Sequence, residues 1–116
     1  MNYKKHLPHI NVETGQSRVL NNTKLYISLL GRFQARQMVD ELFKSIVEND
    51  RDEITGRAHA IKGAAANLSL PVLEELATEV EKLSKEGKAV EYMCQPLEDA
   101  VTALEDAISE ITGSLD

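Results

Sequence analysis

The chain is expected to be all-α, an antiparallel up-down four-helix bundle with a short extra helix at its N-terminus. Apolar residues recur three and four apart over most of its length, the period of a helix face and not of a strand. Six Gly, three Pro and an aromatic content of 4% leave too few turn-formers and strand-formers for a sandwich or barrel. Its 116 residues fit one domain, since domains most often run to roughly 100–150 residues. At that length about two-thirds of the unfolded chain's surface can be buried, enough for a core without staples. A hydrophobic fraction of 42% with 28% charged residues excludes wholesale disorder.

Residues 1–10 show no periodicity and are expected to be a flexible lead-in, with the folded domain over 11–113. Val12 to Leu20 suits a short helix closed near Asn21-Asn22. From Thr23, Leu25, Leu29 and Phe33 are four apart, and Ala35, Met38, Val39, Leu42, Phe43 and Ile46 continue an apolar face. That spacing predicts one helix to about Glu48, broken at Asn49-Asp50, where short polar side chains can cap the next. Ile54, Ala58, Ile61, Ala65 and Leu68 then form the seam of a bundle helix. Ser69-Leu70-Pro71 interrupts it, with Pro71 fit for a first helical position. Leu73, Leu76, Val80 and Leu83 repeat the seam until Gly87, which reads as a C-terminal stop. Val90, Cys94, Leu97, Val101, Leu104, Ile108 and Ile111 make the last one. Pro96 lies inside that run, so the helix is either kinked there or begins at Gln95-Pro96.

Thirteen Lys and Arg against nineteen Asp and Glu give a net charge of −6, which excludes a general nucleic-acid binder needing a basic footprint. No apolar run approaches the roughly 20 residues of a membrane span. The start Met1-Asn2-Tyr3-Lys4-Lys5 lacks a signal peptide's apolar stretch. One cysteine, Cys94, cannot form an intrachain disulfide, and its place on the last seam makes it a small core residue. A cytoplasmic domain without membrane contact is expected.

Function must come from a residue that packing does not explain. On the third helix, His59 points about 140° away from the seam. Lys62 and Gly63 lie on the same outer side one turn on, with Ala66 a further turn along. A helix-interior glycine costs roughly 0.5–1 kcal/mol relative to Ala, so Gly63 suggests that something approaches the backbone there. Geometry alone leaves an ordinary exposed histidine beside a tolerated glycine standing equally well.

The string Ala58-His59-Ala60-Ile61-Lys62-Gly63-Ala64-Ala65-Ala66-Asn67-Leu68 closely resembles the signature of histidine-containing phosphotransfer (HPt) domains. These are four-helix bundles that relay phosphoryl groups between receiver aspartates in two-component phosphorelays. The likeness runs from about Leu7 to Ile111, taking in the Leu7-to-Gly15 lead-in, Leu25 to Phe33, Leu73-Glu74-Glu75-Leu76 and Val80-Glu81-Lys82-Leu83. Ile61 stands for the usual Leu, and Ser69 for the Gly that normally ends the motif helix.

The resemblance implies that His59 is the phosphoacceptor, forming a phosphohistidine. Lys62 would offset the phosphoryl charge, while Gly63 and Ala66 leave room for the receiver. It further implies that Glu81 bonds the ring's other nitrogen and that Lys85 adds positive charge, although a plain solvated face accounts equally well for these two. The implied partners are receiver domains of response regulators or of a hybrid histidine kinase, met by a monomer. The lead-in is similar to the segment that succeeds receiver domains in such kinases. No cofactor is expected on this chain; the Mg²⁺ would belong to the receiver.

Rival sites are weaker. His6 and His9 form a His-x-x-His pair without a third or fourth ligand, so no metal is expected. Glu-x-x-His occurs nowhere, and Walker-type and kinase Gly-rich loops are absent, as is the His-Glu-x-x-x-Pro pattern of a kinase dimerisation helix. The expected activity is therefore that of a phosphocarrier without ATP binding or kinase activity. The alternative is a non-phosphorylated bundle that docks a signalling partner through the His59 face.

Overall fold

In the computed structural model, which describes residue 6 and residues 8–113, short polar side chains start three helices. Asn11 accepts from the Thr14 amide at 3.1 Å at the head of α1 (Val12–Ser17). Asn22 accepts from the Leu25 amide at 3.0 Å at the head of α2 (Thr23–Arg32). Asp50 accepts from the Glu53 amide at 3.2 Å at the head of α4 (Arg51–Leu68). Each satisfies a backbone donor that the first turn leaves free, which fixes where the helix begins. The remaining helices are α3 (Ala35–Val47), α5 (Pro71–Lys85) and α6 (Cys94–Gly113). No strand occurs among the described residues.

The single helix expected from Thr23 to Glu48 is two helices, α2 and α3. The core-facing residues of α2 are Tyr26, Ile27 and Leu30, whereas those of α3 begin at Ala35 and continue through Val39, Leu42 and Ile46. An unbroken helix would turn residue 35 about 140° away from residue 30. Leaving helical geometry at Phe33 and Gln34 resets the phase so that both segments face inward. The expected stripe is displaced accordingly: Leu25 is 45% exposed, and Leu29 and Phe33 are half-buried. Tyr26 takes the inner place. Its ring lies over Gly15, where a Cβ would collide with it, and its hydroxyl donates to the Leu68 carbonyl at the end of α4. Burial raises the Tyr26 pKa, so the hydroxyl remains a donor.

The first helix is also shorter than the expected 12–20. It stops at Ser17, and a turn follows in which Leu20 and Asn21 take left-handed φ of 57° and 59°. Of the expected lead-in, residues 1–5 and 7 lie outside the described residues. Ile10 is fully buried in the core, and the Asn11 amide donates to the Ser69 carbonyl at 2.9 Å.

Two residues join α4 to α5. Ser69 adopts a left-handed φ of 57°, the Leu70 amide closes on the Ala65 carbonyl at 2.9 Å, and Pro71 opens α5. Along this pair, Thr55 meets Ser84 and His59 meets Glu81, rising numbers against falling ones, which is an antiparallel register. Left-handed geometry costs an L-residue roughly 1–2 kcal/mol, and glycine avoids that at the expense of roughly 0.5–1 kcal/mol of chain entropy. Ser69→Gly should therefore stabilise the domain by up to about 1 kcal/mol in urea unfolding. An unchanged midpoint would show that Ser69 gains something else from its buried place.

At the other end of α5, Gly87 takes φ 73° and the Lys88 amide bonds the Leu83 carbonyl at 2.9 Å, the expected stop. A 3-10 turn, Glu91–Met93, leads into α6. Pro96 is the third residue of that helix, where the missing N–H belongs to the unpaired first turn, so no kink is needed. Helix α3 packs on α4, α4 on α5, α5 on α6, and α6 back on α3, while α2 lies on α6 with α1 against it. Leu42, Ile61, Leu73, Val80, Leu97 and Leu104 fill the middle. Cys94 is half-buried against this core, and burial raises its thiol pKa. Among the described residues no helix is long and apolar enough to cross a membrane.

Candidate functional site

Helix α4 turns Ile54, Ala58, Ile61 and Ala65 inward, which leaves the opposite side of the same turns for His59, Lys62, Gly63 and Ala66. The His59 side chain is 69% exposed, Gly63 is exposed, and Ala66 is half-buried. Helix α5 supplies the other half. Glu81 follows the core residue Val80 and is carried toward α4, so its side chain is only 7% exposed. Thr55 and Ser84, hydrogen-bonded at 2.7 Å, tie the two helices together one turn away.

The Glu81 carboxylate organises the polar groups. Its Oε2 lies 2.7 Å from His59 Nδ1 and 3.7 Å from Lys85 Nζ, and its Oε1 accepts from Lys62 Nζ at 2.6 Å. A buried carboxylate is costly unless paired. Here the Lys62 hydrogen bond, joined by the His59 hydrogen bond and the charges of Lys62 and Lys85, outweighs desolvation and holds the Glu81 pKa below the ordinary carboxylate range. An ionised Oε2 can only accept, so His59 Nδ1 carries the ring proton and donates it. When the ring is neutral, the lone pair is then on Nε2, which has no partner among the described residues. A neutral imidazole anchored at one nitrogen and open at the other is a nucleophile.

His59, Lys62, Glu81 and Lys85, singled out in the sequence, thus meet around one carboxylate. Gly63 and Ala66 follow on the same face of α4, one and about two turns along, with no polar side chain to offer. A Cβ at Gly63 would meet nothing within 4 Å, so nothing inside this fold requires glycine there. The same holds at Gly56, which the sequence reading passed over. Seven residues separate the two, which places them within about 20° of each other around the helix. A second helix-interior glycine on the face of His59 was the available signal. Lys62 differs from its expected state, because it is bonded to Glu81 before any phosphoryl group arrives.

The other candidates do not converge. His6 is buried with Nε2 unpartnered, and no group of three or more metal-ligating side chains occurs among the described residues. A cavity of about 780 Å³ lies between α3 and α6, lined by Phe33, Arg36 and Ile108 among others, and none of the site residues lines it. Small-molecule sites are concave. A smaller concavity of about 330 Å³ borders Glu81 and Lys85 on the α5 side, and His59 does not line it; the imidazole is instead 69% exposed on the face of α4.

Fold and site together define a helical module that presents one exposed histidine held at Nδ1 by a buried carboxylate. The chain belongs to the Hpt domain family: the family model for the Hpt domain matches residues 32–111. Among solved structures, the chain is similar to the crystal structure of the HPT domain from the Hpt sensor hybrid histidine kinase from Shewanella. The two share 17% identity, with 92% of this chain and 93% of that one covered, at a TM-score of 0.71. At that identity the likeness speaks for the fold. No curated protein matches the chain. Hpt domains are phosphocarrier modules of two-component phosphorelays that interact with receiver domains.

Proposed function

We propose that His59 accepts a phosphoryl group from a receiver-domain aspartate and passes it to another receiver aspartate. The observation that carries this reading is the Nδ1 anchor on Glu81, which leaves Nε2 free on an exposed face. In the forward step the Nε2 lone pair attacks phosphorus, the P–N bond forms as the bond to the aspartyl oxygen breaks, and the carboxylate leaves. The ring proton stays on Nδ1, so no proton has to move. The imidazole gains positive charge as the bond forms, and the carboxylate 2.7 Å from Nδ1 stabilises that charge. Reversal of the same step delivers the group to a second receiver. Mg²⁺ in the receiver's acidic pocket would supply most of the electrostatic stabilisation of the phosphoryl group.

In this reading the chain is a carrier without ATP-binding or kinase activity, a monomer, and cytoplasmic, either standing alone or attached to a hybrid histidine kinase. Its scaffold is an antiparallel up-down bundle of α3 to α6, with α1 and α2 added at the N-terminal side; the antiparallel α4–α5 register supports this. A bundle that only docks a signalling partner has no use for a carboxylate that fixes the ring tautomer. Incubation with a phosphorylated receiver should place acid-labile, base-stable label on this chain. A chain that binds the receiver yet stays unlabelled would favour the docking alternative.

Gly63 gives a second test. Gly63→Gln meets no steric obstacle within the fold and should stabilise α4 by roughly 0.5–1 kcal/mol. It should also slow transfer about tenfold or more, since a clash of only about 1.4 kcal/mol with the receiver is tenfold in rate. A variant that is more stable and equally fast would remove the access role from Gly63.

A further inference from the structure

The two lysines beside His59 are not equivalent. Lys62 Nζ lies 2.6 Å from Glu81 Oε1 and its side chain is 32% exposed, whereas Lys85 Nζ stands 3.7 Å from Oε2 and is 64% exposed. A carboxylate is planar, so a short bond that pins Oε1 also sets the direction of Oε2, the oxygen that receives His59 Nδ1–H. At 7% exposure there is little water to take over if the inner cation is removed. Lys62 therefore has its charge and direction committed to Glu81 while the histidine is unphosphorylated.

We infer that Lys62 is a positioning residue for the imidazole, acting through Glu81, and that the outer cation Lys85 supplies the positive charge met by the incoming phosphoryl group. This divides between two side chains the roles that the sequence motif gives mainly to Lys62. It rests on the proposed function in taking His59 as the acceptor. The groups around Glu81 are Lys62 and His59 from α4 and Lys85 from its own helix. Two ammonium groups and one carboxylate leave one net positive charge, on the solvent side, where a dianionic phosphoryl group would approach.

The ring can be read without phosphotransfer. In the unphosphorylated domain, nitrogen-15 NMR of the His59 side chain should show a hydrogen-bonded Nδ1–H. Lys62→Ala should broaden or remove that signal, Lys62→Arg should restore it because a guanidinium also donates to Oε1, and Lys85→Ala should leave it as in the wild type. In kinetics with a phosphorylated receiver, Lys62→Ala should lower the rate at saturation severalfold with little change in half-saturation. Lys85→Ala should raise half-saturation severalfold, with an effect that added salt narrows. A wild-type ring signal in Lys62→Ala, or the opposite kinetic split, would overturn the division of roles. Failure of the wild type to take label would overturn the phosphotransfer reading alone, since the ring signal needs no phosphoryl donor.

Discussion

His59→Gln is expected to abolish labelling by a phosphorylated receiver while leaving the unfolding midpoint nearly unchanged. The side chain is 69% exposed on the side of α4 opposite Ile54, Ala58, Ile61 and Ala65, so the core does not depend on it. Exposed substitutions away from special features usually stay within about 0.5 kcal/mol. The Gln amide can still donate to Glu81, which retains Lys62 in any case. What disappears is the lone pair at Nε2, the atom proposed to form the bond to phosphorus. Phosphotransfer followed by acid and base treatment reads the label, and urea unfolding reads the fold. Undiminished label in this variant would defeat the central proposal and turn attention to His6 and His9, of which His6 is buried.

The helix seams were legible where one face alone is apolar. Ile54, Ala58, Ile61 and Ala65 are buried as their spacing requires, and Gly87 and Asp50 end and start helices because their local chemistry needs no tertiary context. Between residues 23 and 48 apolar residues lie on more than one face. Leu25-Leu29-Phe33 and Tyr26-Ile27-Leu30 are then both plausible seams, and periodicity cannot rank them. Packing of the Tyr26 ring over Gly15 settles the choice, a contact between separate elements that no local pattern encodes. The site divides in the same way. His59, Lys62 and Gly63 share a face by arithmetic on one helix, and Glu81 matched only through family resemblance. That one carboxylate binds both His59 and Lys62 depends on the α4–α5 register, which the sequence does not state. Gly56 was legible, by the same argument as Gly63.

Glu81→Gln is the most informative isosteric change, because it removes a charge and keeps the shape. At neutral pH its effect on stability should be small, within about 1 kcal/mol. Replacing a buried ionised group relieves desolvation even as it loses the attraction of Lys62, so only the excess of attraction over desolvation is lost. Transfer should instead fall by about 10²-fold, the scale of losing one preorganised electrostatic contact to a developing charge. The amide oxygen can still accept from Nδ1–H, but it cannot match the imidazolium charge that appears as phosphorus binds Nε2. Acid should expose the same charge. The folded-state pKa of Glu81 lies below the ordinary carboxylate value of 4.5, so its contribution is complete above that value and is lost as pH falls through the lower folded value. The stability difference between wild type and Glu81→Gln should accordingly shift against the wild type as pH falls below about 4.5. Melting curves across that range, with transfer rates at neutral pH, provide both readings. Wild-type transfer in Glu81→Gln would show that an uncharged acceptor suffices and that the buried carboxylate serves only to hold Lys62.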